Sequence, residues 1–219
     1  MWVHAKKFVF LGAGTLGTTE ILLRSKQLGL SMSETVGTRM SGNGDILAFG
    51  YNTDFEANAM EREGEHVDPT HPVGPTITGV IDCRDQENPL DGFVLEEGAV
   101  PSALVTGLQT FLEAMSHKVY PDTSKYRRFV SRKLSRLFGP YYPGGSMQRT
   151  QTYLVMSHDS NQANLSLNPN GEPILRWRGV GRSQHVSYLN DLMAKATNSV
   201  GGTFIHNPFF ALFGEQQVS

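Results

Sequence analysis

Residues 7–11, KFVFL, are a short apolar run rich in β-formers, and they predict a buried strand. Helix formers follow over 18–28, with Ile21 and Leu28 on one face, and Gly29 is placed to stop that helix. The stretch from Val36 to Asp45, VGTRMSGNGD, reads as a glycine-rich loop leading into ILAFGYN, a strand interrupted by Gly50. Residues 54–76 are polar, carry Pro69, Pro72 and Pro75, and predict a surface excursion. TITGVIDC and GFVLEEG read as two more strands.

The second half of the chain is more regular. Pro101 opens a helix in which Leu104, Leu108, Phe111, Leu112 and Met115 recur at helical spacing. A basic helix is expected over about 124–138. An antiparallel meander follows, made of TQTYLVMSH, ANLSLN and PILRWR, with turns at 159–162 and 169–171. The alternation of Leu165 and Leu167 gives it one buried face. A last helix starts near Ser183, is lined by Val186, Leu189, Met193 and Val200, and stops at Gly201–Gly202; TFIHN closes the series as a strand. The fold class expected is α+β, a mostly antiparallel sheet with flanking helices.

The chain has 219 residues, 39% hydrophobic and 18% charged, with a net charge of −2. These values suit a globular chain with a real core and give no global attraction to nucleic acid or membranes. Cys83 is the only cysteine, which rules out an internal disulfide and a cysteine-based zinc site. No run is long enough for a membrane span, and the start shows no secretory pattern, so a cytoplasmic setting is expected. His66 and His71 flank a proline-broken stretch and share no helical face, so no metal site is expected. Ser157 and His158 are adjacent in a strand, point to opposite faces and form no nucleophile–base pair. The basic stretch KYRRFVSRKLSR reads as a solvated helix face, with an anionic membrane or nucleic acid as the alternative partner, and Phe129, Val130, Leu134 and Leu137 supply its packing side.

Gly12, Gly14 and Gly17 form Gly-x-Gly-x-x-Gly between the first strand and the first helix. A nicotinamide site also needs a second strand ending in an acid about 20 residues on. Glu34 is near that distance, but no β-run leads to it, so an NAD(P)-binding module is the weakest reading. Two others stay open. The glycines allow a tight turn, or they let backbone approach a cofactor whose anionic part meets the helix N-terminus.

VFLGAGTLGTTEILLRSKQLGL followed by VGTRMSGNGDILAFGYN resembles the glucose–methanol–choline flavin oxidoreductases, in particular their cholesterol-oxidase-like branch. The resemblance rests on the glycine turn, Thr19-Glu20, Arg24-Ser25 and the Gly-Asn-Gly loop at 42–44. GFVLEEGAVPSAL looks like the strand that carries an active-site glutamate in that branch. PILRWRGVGRSQHVSYLNDLMAKATNSVGGTFIHNP looks like the approach to the family's terminal catalytic segment.

The resemblance implies an internal fragment of an FAD-dependent oxidoreductase acting on the CH–OH group of a lipophilic, sterol-like alcohol. Residues 1–45 would be a strand–helix piece of the FAD-binding domain, 46–205 the substrate domain, and 206–219 the lead-in to the catalytic segment. Both ends read as cuts through a larger fold. The family's own fingerprint and its catalytic histidine would lie beyond them. Glu96 is the expected catalytic base, its place at the end of an apolar strand favouring it over Glu97. Gly12, Gly14, Asn43 and Gly44 are the expected cofactor-binding residues. Asn43 has an alternative role as a turn residue in left-handed backbone. The alternative function is a non-catalytic protein that cannot hold FAD and acts as a binding or partner module. The two readings differ in cofactor content, and a complementing flavin-domain chain is the partner that would rescue the first.

Overall fold

The computed structural model describes residues 4–61, 77–119, 125–179 and 183–207, with no account of the side chains of 117–119 and 125. It is an α+β protein with a mostly antiparallel sheet. The chain divides into two compact units, Met1–Gly42 with Asp159–Arg178, and Asn43–His158 with Gly179–Ser219. The histidines at 66 and 71 and the terminal stretch from 208 lie outside the described residues.

In the first unit, helix α1 (Gly14–Gln27) carries Arg24 and Lys26 in its last turn, where cations suit the helix dipole. Glu20 and Arg24 pair one turn apart at 2.6 Å. Gly29, at φ 98°, ends the helix as expected, and Leu30 N–H donates to the Ser25 carbonyl at 3.0 Å. The unit's two-stranded sheet pairs β5 (Asn164–Leu167) with β6 (Pro173–Arg176). Leu165 N–H donates to the Gly37 carbonyl at 2.7 Å, and a side chain on Gly37 would run into the Leu165 carbonyl.

Two expectations fail here. Residues 7–11 form no strand, and Phe8 is 75% and Phe10 91% exposed. A strand needs an edge to pair with, and neither β5 nor β6 pairs with this segment. The meander also breaks, because β5 and β6 pair only with each other.

The strand expected to begin that meander, β4 (Gln151–Met156), instead lies inside the five-stranded sheet of the second unit. Its order is β2-β3-β4-β1-β7, with β1 (Ile46–Tyr51), β2 (Val80–Cys83), β3 (Phe93–Gly98) and β7 (Thr203–His206). All neighbours run antiparallel. Gly50 sits inside β1 without breaking it, and its missing Cβ leaves room for the Tyr153 ring, whose hydroxyl oxygen a Cβ would approach to 2.7 Å.

Each face of this sheet has its own core. Ile46, Ala48, Phe93, Val155 and Phe204 pack against Leu189 and Met193 of α4 (Gln184–Ser199). Ser183 caps α4 by accepting from the Val186 N–H at 3.2 Å. On the other face, Phe49, Tyr51 and Ile205 meet Val105 and Leu112 of α2 (Ser102–Val119). Glu61 serves the start of α2, its carboxylate accepting from the Ser102 N–H at 3.0 Å.

The basic helix α3 (Lys125–Phe138) turns three of its four expected packing residues outward and keeps only Leu134 half-buried. Its buried side is polar: Arg128, Ser131 and Ser135. Its outer side holds Tyr126, Phe129, Val130 and Leu137. The cause is a set of polar partners supplied by the sheet. Asn52, just past β1, is buried and left-handed at φ 57°. Its Oδ1 accepts from Ser131 Oγ at 2.9 Å, and its Nδ2 donates to the Arg128 carbonyl at 3.3 Å. Arg128 donates to Thr203 Oγ1 at 2.9 Å and to the Gly201 carbonyl. Arg127 reaches Asp54 at 2.6 Å.

Asn52→Ala removes these side-chain hydrogen bonds, and the longer one that Oδ1 accepts from Arg127 at 3.5 Å, and puts a Cβ-bearing residue that lacks a compensating amide at positive φ. The expected loss is about 2–4 kcal/mol in urea unfolding. Asn52→Gly, which keeps the backbone relaxed, is expected to lose less. Equal losses would mean the backbone conformation costs nothing.

Candidate functional site

The register of the large sheet sets four residues side by side on one face. Val80 pairs with Glu96, Glu96 with Leu154, and Leu154 with Leu47. Side chains alternate along each strand, so all four share the face that carries Phe49 and Ile205. Helix α2 covers that face at Phe49 and Ile205, beside β7. Away from it the row stays open, with Leu47 39% and Val80 56% exposed. The result is an apolar strip with one carboxylate in its middle.

Glu96 Oε2 is buried and has no hydrogen-bond partner. The neighbouring Glu97 faces the other way, and its Oε2 accepts from Thr78 Oγ1 at 2.6 Å. The two glutamates therefore differ in kind: one is engaged, the other is a vacant acceptor. Thr152 lies on the same face as Glu96, one cross-strand row further, opposite Gly98. Its hydroxyl is also buried without a partner. Its methyl packs over Gly98, where a Cβ would come within 3.0 Å. Unsatisfied buried polar atoms are costly, and two on one face mark a place built to meet a polar group. Asp82, on the same face, is not vacant. Arg84 binds both its oxygens, at 2.9 and 2.6 Å, and holds its carboxyl down at about 2.

Thr152 was not among the residues singled out from the sequence. Its signal was present, since Thr152, Leu154 and Met156 alternate in TQTYLVM. What was missing was the pairing of β4 with β3, which alone shows that this set faces Glu96.

The expected cofactor residues divide between the two units. Gly12 and Gly14 belong to the first, Asn43 and Gly44 to the second. Gly14 has φ 67°, and a Cβ at Gly12 or Gly14 would meet nothing within 4 Å. No neighbour forces glycine at these positions by crowding. The start of α1 behind them has no side-chain cap and no acid in its first turn. Backbone there is open to an anionic group. Gly44 differs: a Cβ would lie 2.6 Å from Ser157 Oγ and 2.8 Å from the His158 backbone, so the protein's own packing requires the glycine. Asn43, at φ 60°, takes the left-handed turn conformation, and its carbonyl accepts from the Ser157 N–H at 2.8 Å.

A cleft of ≈ 550 Å³ lies elsewhere in the second unit, between α2 and α3. Glu113 lines it, with its carboxylate engaged by Gln109 at 3.0 Å and by Arg136 at 3.2 and 3.0 Å. A carboxylate so occupied offers no vacant acceptor. Among the described residues no three His, Cys, Asp or Glu side chains gather as a metal site. No helix among them is long and apolar enough to cross a membrane.

Compared with known proteins, the chain matches no protein-family model and no curated protein sequence.

Two imidazoles give the second unit a pH dependence. Burial pushes His206 below the ordinary 6.5, against a smaller upward pull from Asp191. Burial lowers His185 too, with Asp91 opposing and His158 adding to the fall. Both rings bind protons less readily folded than unfolded. Their contribution is fully present above about 6.5 and is lost as pH falls below it. Asp82 acts only below 3.8, outside that range. The melting temperature is expected to fall between about pH 7.5 and about pH 5.5, and less steeply for His206→Gln. A flat profile would mean that neither ring is depressed.

Proposed function

We propose that the chain is part of an FAD-dependent oxidoreductase acting on the CH–OH group of a lipophilic, sterol-like alcohol. The observation that carries this reading is the vacant, buried Oε2 of Glu96 in the apolar row of Val80, Leu154 and Leu47. Oxidising an alcohol requires the hydroxyl proton to leave as hydride departs from the carbon. Glu96 is the acceptor for that proton. Thr152 Oγ1 offers a second hydrogen bond to orient the hydroxyl, and the flanking aliphatic side chains suit a lipophilic body. Within the first unit, the uncapped start of α1, opened by Gly12 and Gly14, suits an anionic group such as a flavin dinucleotide's phosphates. Bound flavin supplies the hydride acceptor, which dioxygen or another oxidant then restores.

A second reading is a non-catalytic partner module. The exposed apolar segment Phe8–Leu11 favours it, because an unpaired run of β-formers suits addition to a sheet on another chain, such as a complementing flavin domain.

The chain is incubated with FAD, passed through gel filtration and examined by absorbance. Retained flavin bands that bleach on addition of a sterol or another lipophilic alcohol are expected from the first reading. Glu96→Gln should then keep the flavin and lower kcat by about 10²–10⁴. A colourless chain that acquires bound flavin with a second polypeptide keeps the first reading, and one that stays colourless with it favours the partner module. Stabilisation by NAD without flavin binding would overturn both.

A further inference from the structure

Helix α3 buries its polar side and presents its apolar side outward. Tyr126, Phe129, Val130, Lys133 and Leu137 fall on one face at spacings of three and four residues. Tyr126 is 82% and Leu137 72% exposed. Phe138, 61% exposed, stacks on Tyr142 at 4.6 Å next to this face. The helix contains no Asp or Glu. Lys133 stands inside the apolar face with its ammonium 4.6 Å from the centre of the Phe129 ring, and neither Lys133 nor Arg132 forms an ion pair among the described residues. Arg136, at the edge of the face, keeps its side chain 66% exposed while pairing with Glu113.

We propose that this face of α3 docks the protein on an anionic lipid surface. An apolar face with a cation at its centre, another at its edge and no acid on its helix has the chemistry of an interfacial helix. Its aromatic and aliphatic groups enter the acyl boundary and its cations stay at the phosphates. Lys133 decides between lipid and protein as occupant. A protein groove closing over this face would bury the ammonium at its centre and require a matched carboxylate in a low-dielectric setting. At a membrane, the four-carbon stem lies along Phe129 and Leu137 while the ammonium rises to the headgroups. Size points the same way. One face of a fourteen-residue helix is about 20 Å long, and a stable protein interface takes about 20–30 residues a side. The helix lies on the surface and does not span, in keeping with its length and charge. The proposal is independent of the flavin reading, since it involves neither Glu96 nor the glycine turn.

The test is co-flotation of the whole chain with phosphatidylcholine vesicles, with and without phosphatidylserine. Binding is expected to rise about tenfold or more with the anionic lipid and to fall with added salt. Lys133→Glu should remove most of that rise. Phe129→Ser with Leu137→Ser should abolish binding at either composition. All three positions are exposed, and an unchanged thermal melt shows that the variants fold. Failure of the parent chain to float with anionic vesicles overturns the proposal. So does a lipid-free dimer, seen by gel filtration, that the Leu137→Ser change dissolves, because a second copy would then own the face.

Discussion

Asn52 holds the second unit together in a way no apolar contact could. It ends β1 in left-handed backbone and turns its amide into the side of α3, accepting from Ser131 and donating to the Arg128 carbonyl. Ser135 and Arg128 on the inner side of α3 also have polar partners. Ser135 Oγ accepts from the Met147 N–H at 3.4 Å, and Arg128 reaches across to Thr203 and Gly201 on the far side of β1. A helix fixed by hydrogen bonds has its rotation set by donor and acceptor geometry, not by hydrophobicity. That is why α3 leaves phenylalanine, tyrosine and leucine in the open.

The same contrast separates what was readable in the sequence from what was not. Helices α2 and α4 announced themselves through apolar spacing and through Pro101, Ser183 and Gly201, all local signals. The α+β class followed from short strands read as antiparallel, with such helices flanking them. Helix α3 was readable as a helix, but its apolar side was assigned to the interior. Periodicity says that two faces differ; it does not say which partners wait inside. Those partners are Asn52 and Thr203, distant in sequence and unmarked by any motif.

The strands show a related limit. KFVFL has the composition of a buried strand and is not one, because strand formation depends on an available edge. TQTYLVM has no stronger composition, yet it sits between β3 and β1. Glu96 was singled out by the resemblance of its strand, and its strand-end position favoured it over Glu97. Its relation to Thr152 and Leu154 could not be found without the pairing of β3 and β4. For Gly12, Gly14 and Gly44, identical residues carry different meanings. The first two have open space around them, while the third is enforced by Ser157 and His158.

The first unit is discontinuous, assembled from the chain up to Gly42 and from Asp159–Arg178. This imposes an order on the protein's birth. During synthesis α1 emerges early, yet its packing partner β5 is translated only after most of the large sheet. The large sheet in turn lacks α4 and β7, which come last. The first unit waits for Asp159–Arg178, which follow β4, and the second waits longer still for α4 and β7, so neither is complete until late in synthesis. Nascent chains stopped between these points carry exposed apolar surface that only the remaining sequence can cover, and they are the forms most in need of a chaperone.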